Sequence, residues 1–232
     1  MANFLIVGGS SGIGKRLGEQ LVETNNRVYA TYYKNKITSD NDLIEFHYLN
    51  VLEDIINLEY LPESINGLIY CPGSINLKPF NRITPTDFAN DFNFQVIGAI
   101  KIIQAVLPRL RNTDNSSIVL FSTVAVQTGF PFHAQVSTSK GAIEGLTKAL
   151  AAEFSPKIRV NCIAPSITDT PLASTLLNTD QKKEANALRH PLKRIGSTED
   201  IASAVEFLLS TKSGWMTGQV IHLDGGISTL KV

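Results

Sequence analysis

A glycine-rich loop between the first predicted strand and the first predicted helix constrains the fold more than any other feature of the sequence. The apolar run 4–7 leads directly into residues 8–14, whose sequence is GGSSGIG. Apolar residues then recur every four positions at Ile13, Leu17 and Leu21, which is the pattern of one helix face. A buried strand, a tight glycine turn and a helix form the start of a βαβ unit, so the sequence predicts a parallel sheet.

The rest of the chain repeats this alternation of short apolar runs and longer amphipathic segments. One helix is predicted from a cap at Thr84 toward Pro108, which should end or kink it, and others over 137–154 and 197–209. Because the strands read as continuous apolar runs, both faces of the sheet should be covered by helices. Further strands are predicted at 27–31, 45–49, 67–71, 117–121, 158–163 and 219–223.

The predicted fold is therefore α/β: a Rossmann-type, doubly wound parallel sheet of about seven strands with helices on both faces, in a single domain over residues 1–232. Residues 166–197 interrupt the alternation because they contain no clear strand. Long insertions in compact domains often cover a binding site, so this stretch is expected to be a substrate lid.

Composition excludes several other classes of protein. The chain is 43% hydrophobic and 18% charged, and its formal net charge is zero. Disorder needs low hydrophobicity and high charge, and nucleic-acid-binding domains carry a basic excess, so we expect neither. No signal peptide or membrane-spanning run is visible, which favours a cytoplasmic protein without a membrane partner. Cys71 and Cys162 lie in apolar runs and are expected to be core thiols and not a disulfide, and no metal site is predicted.

The glycine loop has a specific chemical use. Gly8 allows the tight turn, Gly12 lets the backbone approach a phosphate, and Gly14 lets the helix pack close to the sheet. The exposed N–H groups and the positive end of the helix dipole then favour a pyrophosphate. A plain structural turn is the alternative, but the strand–loop–helix context favours a dinucleotide site.

Motifs spread over nearly the whole chain resemble, in order, those of the short-chain dehydrogenase/reductase family. They are the Gly-x3-Gly-x-Gly loop 8–14, CPG at 71–73 in place of Asn-Ala-Gly, STVA at 122–125, STSKGA at 137–142, RVNCIAPS at 159–166, and TGQ and LDGG at 217–219 and 223–226.

This resemblance implies a nicotinamide dinucleotide lying across the carboxyl ends of the strands. The loop would line the phosphates, Asn50 and Val51 would flank adenine where the family has Asp-Val, and Ile167 and Thr168 would contact the nicotinamide and its carboxamide. The cofactor-binding residues expected are Gly8, Ser10, Ser11, Gly12, Ile13, Gly14, Tyr32, Lys34, Asn50, Val51, Cys71, Pro72, Gly73, Lys140, Pro165, Ile167 and Thr168.

The end of the second predicted strand bears on the choice of cofactor. An acidic residue there binds the ribose 2′-hydroxyl of NAD, whereas this chain continues with Tyr32, Tyr33 and Lys34. Lys34 can pair with a 2′-phosphate and a tyrosine can stack on adenine, although all three are also ordinary surface residues. The sequence favours NADP and leaves NAD open.

The catalytic positions implied by the resemblance depart from the family pattern. The family has a tyrosine, its general acid and base, four residues before a lysine, and here Val136 stands four residues before Lys140. Thr123 takes the place of the serine that positions the carbonyl, and Gln95 takes the place of an asparagine that supports a proton relay. Valine cannot donate or accept a proton, and losing a general acid costs about 10²–10⁴-fold in rate.

Two other residues are candidates for the missing proton donor. His133 lies three residues before Val136 and histidine can act as an acid near neutral pH, although a loop histidine without a role is the plainer interpretation. Tyr70 ends the fourth predicted strand and is expected to belong to the core.

Three hypotheses on function stay open. The chain is an oxidoreductase that transfers hydride between nicotinamide and a small carbonyl or alcohol with a different proton source, or a nucleotide-binding pseudo-enzyme that senses cofactor or serves as a partner subunit. Alternatively, the valine is a sporadic or introduced loss in an otherwise active enzyme. The resemblance also implies a homo-oligomer, a tetramer or a dimer, formed through the helices that begin near Thr84 and Ser137 and through the C-terminal strand.

Overall fold

The computed structural model describes residues 1–231 and contains a single seven-stranded sheet. The order of its strands is β3-β2-β1-β4-β5-β6-β7, and every neighbouring pair is parallel. This confirms the predicted doubly wound α/β fold. The strands are β1 (Asn3–Val7), β2 (Arg27–Tyr32), β3 (Ile44–Tyr48), β4 (Gly67–Tyr70), β5 (Ser116–Phe121), β6 (Ile158–Pro165) and β7 (Val220–Leu223).

Helices pack on both faces of this sheet, and the alternation of side chains along β1 shows why. Leu5 belongs to a core cluster that contains Ile102, whereas its neighbour Ile6 belongs to a second cluster that contains Leu17. Both faces of the strand are therefore buried, as its uninterrupted apolar sequence predicts. The helices are α1 (Gly12–Glu23), α2 (Pro85–Phe92), α3 (Gly98–Arg111), α4 (Ala125–Thr128), α5 (Ala134–Phe154), α6 (Asp180–Leu188) and α7 (Thr198–Leu209).

The order of the strands creates a crevice at one edge of the sheet. From β1 the chain continues to β2 and β3 on one side, and from β4 it continues to β5, β6 and β7 on the other. The backbone N–H of Cys71 donates to the carbonyl of Val7 at 3.0 Å, so the two loops that leave β1 and β4 start side by side. Ligands of open α/β sheets bind at this kind of switch point.

The helix predicted from Thr84 toward Pro108 differs from the prediction in two respects. Its start is as expected, because Thr84 and Asp87 form a capping box and Pro85 is the first helical residue. A wider turn over Asn93–Ile97, with the hydrogen-bond pattern of a π-helix, then separates α2 from α3. In addition, α3 continues through Pro108 for one last turn, whose closing bond runs from the Asn112 N–H to the Pro108 carbonyl.

Residues 166–197, here called the β6–α7 segment, contain a 3₁₀ turn (Pro171–Leu176) and helix α6. The two ends of the segment are joined, because Thr168 and Gly196 form an isolated parallel bridge. The Asp169 N–H donates to the Gly196 carbonyl at 2.8 Å, and the Gly196 N–H donates to the Ile167 carbonyl at 3.0 Å. Within residues 1–231, no helix combines the length and the apolar character that crossing a membrane requires.

Candidate cofactor and active site

A cavity of about 880 Å³ opens at the carboxyl ends of the strands. Residues that follow β1, β2, β4, β5 and β6 line it together with the β6–α7 segment. The structure therefore brings together all of the expected cofactor residues, and Thr123 and Val136 lie in the same wall. Gln95 is the exception: it is wholly buried behind the wall and does not line the cavity.

The glycine loop forms a cradle that only glycine can build. Gly8 has a φ of +79°, in the region that favours glycine. A Cβ on Gly14 would stand 2.5 Å from the carbonyl oxygen of Gly8, so helix α1 approaches the loop more closely than any side chain allows. The first turn of α1 contains no acidic residue, and the cap residue Ser11 makes no side-chain hydrogen bond to it. The N–H groups at this end of α1 are thus available to an anion.

The cavity wall next to β2 is aromatic and cationic. Tyr32 and Tyr33 line it, and the ring of Tyr48, which does not line the cavity, lies 6.1 Å from the ring of Tyr32 and 6.2 Å from that of Tyr33, measured between centroids. Lys34 lies near this group, with Nζ 6.0 Å from the Tyr33 ring. Among the described residues that line the cavity there is no aspartate or glutamate, whereas Lys34, Lys140 and two further cations do line it.

The loop that follows β4 lines the cavity. Cys71 is a free, half-buried thiol that packs against one core cluster and also lines the cavity, so the prediction of a core position holds in part for Cys71. Strand β4 ends at Tyr70, one residue earlier than expected, which places Cys71 in the loop. The same prediction is confirmed for Cys162, which is buried in β6. Burial raises the pKa of the Cys71 thiol to about 12, so it is neutral at physiological pH.

Lys140 is the buried cation of the site. It lies on α5 with only 8% of its surface exposed, and it lines the cavity. Burial lowers the pKa of Lys140 to about 8, while Cys162, Asp91 and Cys71 act in the opposite direction. A lysine in this state changes charge just above neutral pH.

Val136 precedes Lys140 by one turn of α5 and occupies the same wall of the cavity. Its side chain is 7% exposed, so the position supplies an apolar surface. Thr123 is half-buried opposite this helix, and its Oγ1 accepts a hydrogen bond from the Ala125 N–H at 3.3 Å. This leaves the Thr123 hydroxyl hydrogen available to a ligand in the cavity.

Sequence reasoning missed a buried carboxylate behind this wall. Asp91, on α2, accepts hydrogen bonds from Gln95 Nε2 at 2.8 and 2.9 Å, from Ser139 Oγ at 2.5 Å and from Ser74 Oγ. A signal was present, because Asp91 and Gln95 are four residues apart on one predicted helix face. The partners from the β4 loop and from α5 are distant in sequence, so the cluster itself is visible only in the fold.

The two candidate replacements for tyrosine occupy different environments. The Tyr70 hydroxyl donates to the Phe94 carbonyl at 2.7 Å and its side chain is buried, which confirms the expected core position. Burial raises the pKa of Tyr70 well above its usual value. His133, in contrast, is half-buried in the cavity wall, with Nδ1 2.8 Å from the Pro131 carbonyl oxygen. Of the two, only His133 has access to a ligand.

The part of the cavity beside the β6–α7 segment is mainly apolar and carries two cations. Arg189 of the β6–α7 segment lies over the ring of Phe130, 5.4 Å from its centroid. Beneath it, His190 is buried, with its Nδ1 2.7 Å from the Asn186 carbonyl oxygen and its Nε2 2.8 Å from Ser166 Oγ. Sequence reasoning missed these two contacts as well. The apolar lining at this end includes Ile75, Leu77, Phe130, Leu172 and Leu176, and the cations are Lys182 and Arg189.

Comparison with known proteins places this cavity in a family. Residues 55–228 match a family model described as enoyl-(acyl carrier protein) reductase. A tropinone reductase homolog of Arabidopsis thaliana is 30% identical over 240 residues, which cover 97% of this chain and 78% of that protein. The chain belongs to the short-chain dehydrogenase/reductase family.

Solved structures of this family share the whole fold. A glucose/ribitol-type short-chain dehydrogenase/reductase from Brucella melitensis is 25% identical with a TM-score of 0.87, over 99% of this chain and 97% of that one. The structure of ElxO with NADP bound is 26% identical with a TM-score of 0.86, over 99% of this chain and all of that one (100%).

The residues present fit a nicotinamide dinucleotide. The cradle at Gly14, which a Cβ would fill, and the open end of α1 suit a pyrophosphate. The absence of carboxylates from the described cavity wall removes repulsion of an anionic cofactor. The cavity thus offers both a backbone cradle for phosphates and a wall without negative charge.

Proposed function

We propose that this protein is an NADP-dependent oxidoreductase that transfers hydride between nicotinamide and a small carbonyl or alcohol, with a reduced set of catalytic side chains. One observation carries the proposal: the glycine cradle, the Lys34 cation and the buried Lys140 all open into one cavity of about 880 Å³. That volume is in the range of small-molecule and cofactor sites. The relative ElxO, whose structure holds NADP, supports the choice of cofactor.

The preference for NADP over NAD rests on the end of β2. Among the described residues that line the cavity there, no carboxylate accepts hydrogen bonds from a ribose 2′-hydroxyl, and Lys34 supplies a positive charge for a 2′-phosphate. NAD is the second candidate, because the cradle and the remaining contacts serve both dinucleotides equally.

Each polar side chain at the reactive end has a proposed role. Thr123 donates its hydroxyl hydrogen to the substrate oxygen, and Lys140 holds the hydroxyl groups of the nicotinamide ribose. Gln95, which is buried and does not line the cavity, helps to position Lys140. Bound nicotinamide supplies the hydride acceptor or donor, and a proton must reach or leave the substrate oxygen. His133 is the cavity-lining group that can exchange this proton, directly or through water.

The second candidate function is nucleotide binding without catalysis, as a cofactor sensor or a partner subunit. Val136 favours it, because an apolar side chain lies where the family has its general acid. All the proposed binding residues stay intact in this case, so cofactor binding alone does not separate the two functions.

The Val136→Tyr variant separates them. Both chains are assayed with NADPH against a panel of apolar ketones and aldehydes, with Val136→Phe as a control for ring size. We expect slow turnover by the parent chain and a gain of about 100-fold or more in Val136→Tyr, which restores a general acid. Clear absence of turnover by the parent, with activity only in Val136→Tyr, supports the binding function. Absence of dinucleotide binding contradicts both.

We further propose that the β6–α7 segment acts as a lid within a single domain and selects apolar substrates. The bridge between Thr168 and Gly196 joins the two ends of the segment, and Thr168, Pro171 and Leu172 of the segment line the cavity. We also propose a location in the cytoplasm and, as the family resemblance implies, a homo-oligomer, either a tetramer or a dimer. Light scattering after size-exclusion chromatography tests the oligomer, and a monomeric mass contradicts it.

A further inference from the structure

A buried carboxylate lies directly behind the proposed ribose-binding lysine, and the proposed roles leave it unused. Asp91 has 6% of its surface exposed and comes from α2, on the far side of the wall from the cavity. Its two oxygens accept hydrogen bonds from Gln95, Ser139 and Ser74, which belong to three different parts of the chain. In this cluster the Asp91 carboxylate acts as the hydrogen-bond acceptor for all three side chains.

This cluster extends to the amine of Lys140. Gln95 Nε2 donates to the two oxygens of Asp91 and lies 3.4 Å from Ser74 Oγ, while the Oε1 of Gln95 is buried without a hydrogen-bond partner. That Oε1 lies 3.7 Å from the point where a Cβ of Gly73 would stand, and Lys140 Nζ lies 3.8 Å from the same point. No hydrogen bond joins the two atoms in this structure. An unpartnered buried acceptor is costly, and an ammonium group is the kind of donor that satisfies one.

Of the titratable groups around Lys140, Asp91 is the one that can supply a neighbouring negative charge. Four titratable groups face this region: Asp91 from α2, Cys71 after β4, Cys162 on β6, and Glu144 one turn further along α5. Burial raises the pKa of both thiols to about 12, so neither is charged when Lys140 titrates. Glu144 accepts a hydrogen bond from Ser122 Oγ at 2.6 Å, and its charge raises the pKa of Cys162.

We propose that Asp91 is a positioning residue for Lys140: it orients the Gln95 amide toward the amine and supplies the buried negative charge that keeps Lys140 protonated. The inference rests on the proposed function only where it assigns cofactor binding to Lys140. Asp91 itself touches neither cofactor nor substrate. Its role is to keep the amine of Lys140 in its ammonium form, in a cavity wall that lacks the family's tyrosine.

The test removes the negative charge of Asp91 and keeps the size and shape of its side chain. Asp91→Asn is compared with Asp87→Asn, which makes the same change at the half-buried capping position of the same helix. Lys140 is titrated in the ligand-free chains by NMR of ¹⁵N-lysine-labelled protein, and its signal is assigned by its loss in Lys140→Arg. NADPH binding is measured by fluorescence at pH 6 and pH 8.

We expect the titration of Lys140 to move to lower pH in Asp91→Asn and to stay unchanged in Asp87→Asn. NADPH binding by Asp91→Asn should be about fivefold to tenfold weaker at pH 8 and within about twofold of the parent at pH 6, where the lysine is charged in both chains. An unchanged titration of Lys140 in folded Asp91→Asn overturns the proposal.

Two further measurements keep the outcomes distinct. If Asp91→Asn does not fold, Asp91→Ser takes its place, because its hydroxyl still accepts from Gln95, and the same shift is expected. If no chain binds NADPH, the proposed function fails while the NMR titration still tests Asp91. If Lys140 titrates as expected but NADPH affinity does not follow the charge of Lys140, the assignment of cofactor binding to Lys140 is overturned.

Discussion

At the cofactor end of the cavity the backbone forms the site, whereas at the substrate end side chains form it. Around Gly8 and Gly14, the decisive features are a positive φ, a close approach of α1 and a set of free N–H groups. Around Val136 and Lys140, they are the identity of one residue and the burial of another. A site that the backbone forms accepts few residue types, and its geometry is kept. A site that side chains form can lose its chemistry through one substitution while its shape stays the same.

The largest effect is expected from adding one methyl group to the backbone-built end. Gly14→Ala places a Cβ against the Gly8 carbonyl oxygen, so the loop or the helix must move. We expect NADPH affinity to fall by about 100-fold or more, because displacements near 1 Å are enough for such losses. Calorimetric titration with NADPH measures it.

The matched control for this substitution is Gly145→Ala on α5, where an added Cβ meets no atom within 4 Å. It should leave NADPH binding unchanged and stabilise the fold by about 1 kcal/mol, since alanine is the better helix former. If both variants bind NADPH like the parent, the glycine cradle does not hold the cofactor.

A smaller effect is expected where the cofactor end depends on a side chain. Lys34→Glu should weaken NADPH binding by about tenfold and leave NADH binding within about twofold, since only NADPH carries the 2′-phosphate that Lys34 would meet. Lys36→Glu is the control, because Lys36 is exposed nearby and does not line the cavity. Equal losses for both cofactors, or for both variants, contradict a specific contact.

The smallest effect is expected from pH. Because the pKa of Lys140 is lowered to about 8, the amine is charged below that pH and neutral above it. NADPH affinity should fall by about threefold to tenfold between pH 7 and pH 9, and Lys140→Met should remove this part of the pH dependence. An unchanged slope in Lys140→Met contradicts the role of Lys140.

The pH dependence of folding stability has the opposite sign. A folded-state pKa below 10.5 disfavours the charged form, so the contribution of Lys140 to stability rises from about pH 8 toward pH 10.5.

The same contrast explains what could be predicted from the sequence. Strand β1, the turn at Gly8 and helix α1 follow from local apolar pattern and glycine spacing, so both the fold and the cofactor end were predictable. The substitution at Val136 was visible too, because the position is fixed relative to Lys140. These are properties of short stretches of chain.

Other features depend on neighbours that are distant in sequence. Asp91 is an ordinary helix residue until Ser74 and Ser139 approach it in the fold, and the Ser166–His190 contact likewise joins two ends of a segment. The π-type turn at Asn93–Ile97 has no local signal either. Cys71 lies at the edge of the core, in the loop and not in the strand, because β4 ends one residue earlier than its apolar run suggests.

Titration of the unmodified chain with NADPH and with NADH, at equal ionic strength and pH 7, tests the central claim most directly. The account predicts that both bind to the same site in competition and that NADPH binds more tightly. Failure of either dinucleotide to bind contradicts the cofactor site itself, and tighter binding of NADH contradicts the role assigned to Lys34.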